Sequence, residues 1–144
     1  MPEDKATIMR EFVKALAAGE VDKALSYFTD DAVDVNPSGT YRGKAEIRRD
    51  TEAMAKNFKN MKVTEAGNGI IVQGDKAFFE HVLSGNYQGK KFEFLAMCAY
   101  EFSGDKIKNV RSVYDRLLVA KQVATWPGSW MVNMIVTNME KATK

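Results

Sequence analysis

The sequence is poor in the residues from which crosslinks and metal centres are built. Among its 144 residues there is one cysteine, Cys98, and one histidine, His81. A single cysteine cannot form a disulfide within the chain, and one thiol with one imidazole cannot build a structural zinc site. A Gly-rich phosphate loop is missing too, since Gly67-Asn68-Gly69 is typical of a turn between strands. We therefore expect no metal and no cofactor.

Long apolar runs and a strong charge of one sign are also missing. No segment approaches the roughly 18 consecutive apolar residues of a membrane span, and the first residues, MPEDKATIMREF, lack the apolar stretch of a signal peptide. The formal net charge is only +2. Arg48-Arg49, the one dense basic run, has Glu46, Asp50 and Glu52 around it, which indicates a solvated helix face. We expect no nucleic-acid or membrane partner and a cytoplasmic location.

What is present is ordinary globular composition, with 45% apolar and 28% charged residues. A chain of this length can bury about 70% of the surface that it exposes when unfolded. No Pro/Gly/Ser-rich linker and no internal repeat divides it. We therefore predict a single soluble domain over residues 1–144.

Helical spacing of apolar residues recurs in the first part of the chain. It predicts helices over about 5–18, 21–28 and 44–58, the first ended by Gly19. A short strand over 32–37, stopped by Pro37, lies between the last two, and Ser38-Gly39 and Gly43 mark loops beside Tyr41. The following residues are the apolar positions of these helices that we expect to meet a ligand: Phe12, Leu16, Phe28, Met54 and Phe58.

The pattern changes to a strand period after residue 60. Strands are expected at Val63 and over 70–72, 76–84, 91–102 and 106–114, joined by glycine-containing turns of an antiparallel meander. Residues 115–144 return to helical spacing, interrupted at Trp126-Pro127-Gly128, with Ser129 as the cap of a last helix. This order of elements indicates an α+β fold, a conical barrel of a strongly curved antiparallel sheet wrapped around the N-terminal helices. The open end of such a cone is a usual ligand site.

An ordered set of short motifs extends over about residues 5–120. It comprises FVKALAAGE (12–20), YFTDDAV (27–33), Asn36-Pro37, Gly43, GDKI (104–107) and Val113-Tyr114-Asp115. This set resembles the nuclear transport factor 2-like superfamily and, within it, the SnoaL-like group of polyketide cyclase-like and ketosteroid isomerase-like proteins. The resemblance implies a cystatin-like core over about 5–120, a helical extension over about 121–144, and a homodimer formed through the outer face of the sheet.

The known acid–base sets of this superfamily are absent. The residues that match the catalytic groups of ketosteroid isomerases are Phe12, Asn36 and Cys98, which lack the required proton chemistry. The acid and the histidine of SnoaL cyclases align to Ser112 and Cys98. The Asp–Arg–Asp network of limonene epoxide hydrolases aligns to Ser112, His81 and Leu83. Asn36 matches an asparagine that helps to hold the water of these hydrolases, and Asp115 is expected only to begin a helix.

Strand alternation indicates which side chains face the predicted pocket. If Cys98 points inward, as the resemblance implies, so do its neighbours at spacings of two on each strand. The set expected to meet a ligand is Asn36, Phe79, Cys98, Tyr100, Ser112 and Tyr114. Asp34 and His81 also face inward, and a carboxylate beside an imidazole could serve as a general acid or base. Each residue also has a purely structural interpretation. His81 could be a core histidine whose hydrogen bonds are satisfied, and Asp34 could be a surface carboxylate.

Three functions remain open. We favour a pocket that binds a small apolar or aromatic organic molecule. The alternatives are an isomerase, cyclase or hydrolase that uses Asp34 and His81, and a dimeric interaction module without a ligand. Trp126 and Trp130 could form a lid, but helix packing or a dimer contact is favoured, as it is for the methionines at 131, 134 and 139.

Overall fold

Helices and a hairpin precede the main run of strands in the computed structural model, which describes residues 4–144. The N-terminal part contains α1 (Lys5–Ala18), α2 (Val21–Ser26), β1 (Phe28–Asn36), β2 (Gly39–Arg42) and α3 (Gly43–Asn57). It is followed by β3 (Phe58–Gln73), β4 (Lys76–Tyr87), β5 (Lys90–Ser103), β6 (Lys106–Tyr114), α4 (Arg116–Val123) and α5 (Gly128–Ala142). The first three residues of the segment considered as a signal peptide lie outside the described residues.

The first helix is confirmed, and two helix ends are corrected. Gly19 ends α1 with a backbone φ of 72°, a left-handed conformation that glycine adopts without strain. The predicted second helix ends at Ser26, because Phe28 pairs with Ile107 as the first residue of β1. The third helix ends at Asn57, because Phe58 pairs with Tyr87. Aromatic residues fit a half-buried strand well, and strand pairing overrides the helical spacing here.

A curled, mostly antiparallel sheet forms the body of the fold, in the order β2-β1-β6-β5-β4-β3. Only β1 and β6 run parallel among the described strands. The residues expected to form a loop around Tyr41 make β2, which pairs with β1 in a tight hairpin. The α+β prediction with a strongly curved sheet is confirmed.

Gly67-Asn68-Gly69 does not join two strands as predicted. It lies inside the single long strand β3, where the register with β4 shifts between Glu65 and Ile70. Both glycines have positive φ, and the Glu80 carboxylate accepts a hydrogen bond from the Asn68 N–H (2.9 Å). The segment is therefore a β-bulge, which bends and twists the sheet instead of ending a strand.

The helix after β6 closes the space that the sheet leaves open. β6 ends at Tyr114, opposite Ala96, so the first residues of β5 have no strand on that side. There α4 lies against β5: Gln122 accepts a hydrogen bond from the Glu93 N–H (2.7 Å) and donates one to the Glu93 carbonyl (2.9 Å). Asp115 begins α4 as expected, accepting a hydrogen bond from the Leu118 N–H (3.0 Å).

The last helix differs from the prediction in its cap and its packing. α5 follows Pro127 rather than Ser129 and packs mainly against α4. Trp126 is 81% exposed and Trp130 61%, so neither is a packed core residue. The methionines at 131, 134 and 139 are exposed as well. None of the helices in residues 4–144 is long and apolar enough to cross a membrane.

Candidate functional site

A cavity of about 540 Å³ lies between the concave face of the sheet and the helices α1, α3 and α4. Phe92, Phe94 and Ala96 from β5 form one buried part of its wall, and Phe58 and Val119 pack against them. Most of the residues named from the sequence lie on the wall: Phe12, Leu16, Asp34, Asn36, Met54, Phe58, His81, Cys98, Tyr100, Ser112 and Tyr114.

Two of the expected ligand residues lie elsewhere. Phe28 and Phe79 are 2% and 1% exposed and belong to the packed core. Phe28 meets Phe12 edge to face with ring centroids 5.1 Å apart, and Phe79 lies beside the His81 ring at 4.6 Å. Each packs against a wall residue, but the surrounding core residues leave neither ring access to the open space.

Strand alternation placed the β5 and β6 residues correctly. Cys98, Tyr100, Ser112 and Tyr114 all face the cavity. The Cys98 thiol donates to the Ser112 hydroxyl (3.2 Å), and burial raises its pKa to about 11. Cys98 is therefore a neutral buried side chain near pH 7, as free cysteines usually are.

Asp34 supplies an acid to the cavity wall. It lies on β1, paired with Tyr41 of β2 and Val110 of β6. Burial raises its pKa to about 7, and the negative charge of Asp50 contributes to this rise. A carboxyl group with such a pKa holds its proton part of the time at neutral pH, so it can either donate or accept one.

Asp50 is a functional candidate that the sequence analysis missed. We interpreted the charges around Arg48 as a solvated helix face, and Arg48 does pair with Asp22 (2.9 Å) at the surface. Asp50, however, lines the cavity. Its position three residues after Ile47 and four before Met54 is the signal that could have placed it on the inner face of α3.

Asn36 connects the two acidic elements. Its side-chain amide donates to Asp50 (3.0 Å), and its side-chain oxygen accepts from the Ser38 N–H (2.9 Å). These two bonds fix the orientation of the amide between the hairpin and α3. We call Asp34, Asn36 and Asp50 the polar end of the cavity.

The predicted pairing of Asp34 with His81 does not occur. Both side chains line the cavity, but among the described residues no hydrogen bond or ion pair joins them, and neither shifts the pKa of the other. The reason is topological, because β6 and β5 separate β1 from β4 in the sheet. Burial lowers the pKa of His81, and its Nδ1 has no hydrogen-bond partner.

Within residues 4–144, no basic side chain forms an ion pair with the polar end. Arg116 lines the cavity, but its guanidinium donates to the Pro37 carbonyl (2.9 Å). The ion pairs formed within residues 4–144 all lie elsewhere and include neither Asp34 nor Asp50. In the same residues no three His, Cys, Asp or Glu side chains are arranged to hold a metal ion.

Comparison with known families identifies the chain. A family model described as a SnoaL-like domain matches residues 9–110, which include α1 to α3 and most of the sheet. The chain belongs to the SnoaL-like domain family. The resemblance of the motifs along residues 5–120 is thus confirmed, and the family match ends before α4 and α5.

Solved structures share this SnoaL-like fold at low sequence identity. One is a hypothetical protein with a ketosteroid isomerase-like fold from Catenulispora acidiphila in complex with trimethylamine (TM-score 0.76, 20% identity, 85% of this chain and 95% of that chain). Another is a protein named as a candidate polyketide cyclase from Silicibacter sp. TM1040 (TM-score 0.70, 18% identity, 84% and 96%). An NTF2-like protein of unknown function from Burkholderia pseudomallei is also similar (TM-score 0.75, 12% identity, 85% and 100%).

Proposed function

We propose that this SnoaL-like protein binds a small apolar or aromatic organic molecule in the cavity. The observation that carries the proposal is the cavity itself, about 540 Å³ with a largely apolar wall. Cavities of roughly 300–1,000 Å³ with apolar walls and few polar groups are typical of small-molecule sites. The polar end would fix the orientation of the ligand. The Catenulispora protein in complex with trimethylamine supports a small organic ligand for this fold.

Filling the cavity is expected to abolish binding. Ala96 is 4% exposed and faces the cavity between its strand neighbours His81 and Tyr114. In the Ala96→Phe variant the added ring would occupy the space of the ligand. We expect affinity for the neutral apolar dye N-phenyl-1-naphthylamine, measured by fluorescence titration, to fall at least tenfold.

The matched control makes the same change on the opposite face of the same strand. Ala99 on β5 lies opposite Phe78 and Arg111 and is not part of the cavity wall. The Ala99→Phe variant is expected to bind the dye as the wild type does, with circular dichroism showing that both variants fold. A wild-type protein that does not bind the dye would favour an interaction module without a ligand.

Acid–base catalysis is a second candidate function, favoured by the pKa of Asp34 near neutrality. In this case Asp34 would exchange a proton with the ligand, while Asn36 and Asp50 would position the reacting groups. His81 would act separately from Asp34, since the two do not pair. A ¹³C NMR titration that placed the Asp34 pKa near 4 would remove the support for this candidate.

We also propose that two chains pair through the outer face of the sheet. Leu95 and Met97 on β5 and Val113 on β6 are exposed there, and Met97 and Val113 are strand neighbours. Analytical ultracentrifugation is expected to give a particle of two chains, and Met97→Glu is expected to give single chains. The Lys91→Glu variant, at an exposed position near the start of β5, is the control and is expected to remain dimeric. A wild-type protein that sediments as a single chain would contradict this proposal.

A further inference from the structure

The polar end of the cavity combines two acids that form no ion pair with a basic side chain of residues 4–144. Asp50 is close enough to Asp34 for its charge to raise the Asp34 pKa, and Asn36 holds Asp50 in place through a hydrogen bond. Neither carboxylate takes part in an ion pair of residues 4–144, and Arg116 donates to the Pro37 carbonyl instead. A half-buried pair of carboxylates without an ion-pair partner is unfavourable unless one carries a proton or a cation lies between them.

A further polar side chain of the wall lies on β4. The His81 side chain lines the same cavity and is 6% exposed, and no group of the described chain bonds its Nδ1. This nitrogen is itself buried, and the Phe79 backbone forms a hydrogen bond with the ring, so His81 offers no open polar contact to a ligand. What the cavity lacks is an ion-pair partner at its polar end.

Resting on the proposed binding function, we propose that the ligand is an organic cation, an amine on an apolar or aromatic skeleton whose charged nitrogen lies between Asp34 and Asp50. An ammonium group has donors for both carboxylates and balances their charge. Its apolar skeleton would lie against Phe12, Phe58 and Phe94, which line the rest of the cavity. A neutral or anionic ligand of the same shape would leave the two carboxylates uncompensated.

The proposal implies a particular pH dependence. An ammonium group binds best when Asp34 is ionised, so affinity is expected to rise as the pH passes through the Asp34 pKa of about 7. Only the ionised fraction is competent, and that fraction increases about tenfold between pH 6 and 8. Burial lowers the pKa of His81 and raises those of Cys98, Tyr100 and Tyr114, which in each case favours the neutral form of the group. The further charged or titratable groups around Asp34 are Asp50 on α3, Tyr41 on β2 and Arg116 on α4.

Three probes with one skeleton test the proposal: 1-naphthylmethylamine, 1-naphthylmethanol and 1-naphthoic acid. Isothermal titration calorimetry at pH 8 is expected to show the amine binding at least tenfold more tightly than the alcohol, with the acid weakest. The affinity of the amine is expected to fall about tenfold at pH 6. In Asp34→Asn the amine is expected to lose its advantage over the alcohol and its pH dependence. Asp31→Asn, which removes an exposed carboxylate from the same strand, is the control and is expected to change neither.

The outcomes separate this inference from the binding function on which it rests. If the alcohol or the acid binds as tightly as the amine at pH 8, the preference for a cation is wrong and the apolar cavity remains a binding site. If the amine keeps its advantage in Asp34→Asn, the carboxylate is not the recognition group and the inference fails. If none of the three probes binds, the proposed binding function fails as well.

Discussion

Replacing Asp34 by asparagine is expected to stabilise the protein relative to the wild type progressively as the pH rises from about 4 to about 7, with a constant difference above that range. The folded state holds the Asp34 proton up to about pH 7, whereas an aspartate in an unfolded chain has a pKa of 3.8. Between these two values the unfolded chain binds fewer protons, so the stability of the wild type falls as the pH rises. Three pH units at about 1.4 kcal/mol each correspond to about 4 kcal/mol over the whole range.

Asn cannot ionise, so the Asp34→Asn variant lacks this loss of stability. The difference in unfolding free energy between variant and wild type is expected to rise by about 3–4 kcal/mol from pH 4 to pH 8 in urea titrations. The Asp31→Asn variant, changed at an exposed position on the same strand, controls for the loss of one charge. A difference that stays flat across this range would show that Asp34 ionises normally in the folded protein.

The Phe28→Ala variant is expected to lose about 3–5 kcal/mol of unfolding free energy, the usual cost of removing a phenyl ring from a packed core. Phe28 is 2% exposed, packs edge to face with Phe12, and pairs through its backbone with Ile107 at the start of the parallel β1–β6 contact. Denaturant unfolding monitored by circular dichroism measures the loss.

Leu95→Ala is the matched comparison, because Leu95 is 45% exposed on the outer face of the sheet. It is expected to change the stability of a single chain by less than about 1 kcal/mol, so the measurement is made at low protein concentration. A Phe28→Ala variant as stable as Leu95→Ala would contradict the assignment of Phe28 to the core. It would then return Phe28 to the cavity wall, where the sequence had suggested it.

The fold was largely predictable because its elements have regular spacing. These regularities are local and can be recognised in the sequence: the apolar period of α1, the glycine that ends it, and the alternation along β5. The wrong predictions concern residues whose secondary structure is determined by pairing with a strand far along the chain. Phe28 and Phe58 fit their helices by spacing, yet both pair as strand residues with partners far along the chain. The bulge at Gly67–Gly69 has the same turn-forming residues as a hairpin, so composition alone cannot distinguish them.

The site was predictable in its lining but not in its chemistry. Strand alternation placed Asp34, His81, Cys98 and Ser112 on the inner face of the sheet, where the structure has them. Alternation does not say how far apart two inward residues are around a curled sheet, and this is why the expected Asp34–His81 pair was wrong. Asp50 was missed because its neighbours along the chain are charged and solvated.

The Asp34 carboxyl group, half-buried at the end of an apolar cavity, is held partly protonated near neutral pH. A ¹³C NMR titration of the aspartate side-chain carboxyl groups tests this directly, with Asp34→Asn used to assign the resonance. We expect a midpoint for Asp34 near pH 7, and a shift of that midpoint to lower pH in Asp50→Asn, where the neighbouring charge is removed. An Asp34 midpoint near pH 4, unchanged by Asp50→Asn, would contradict it.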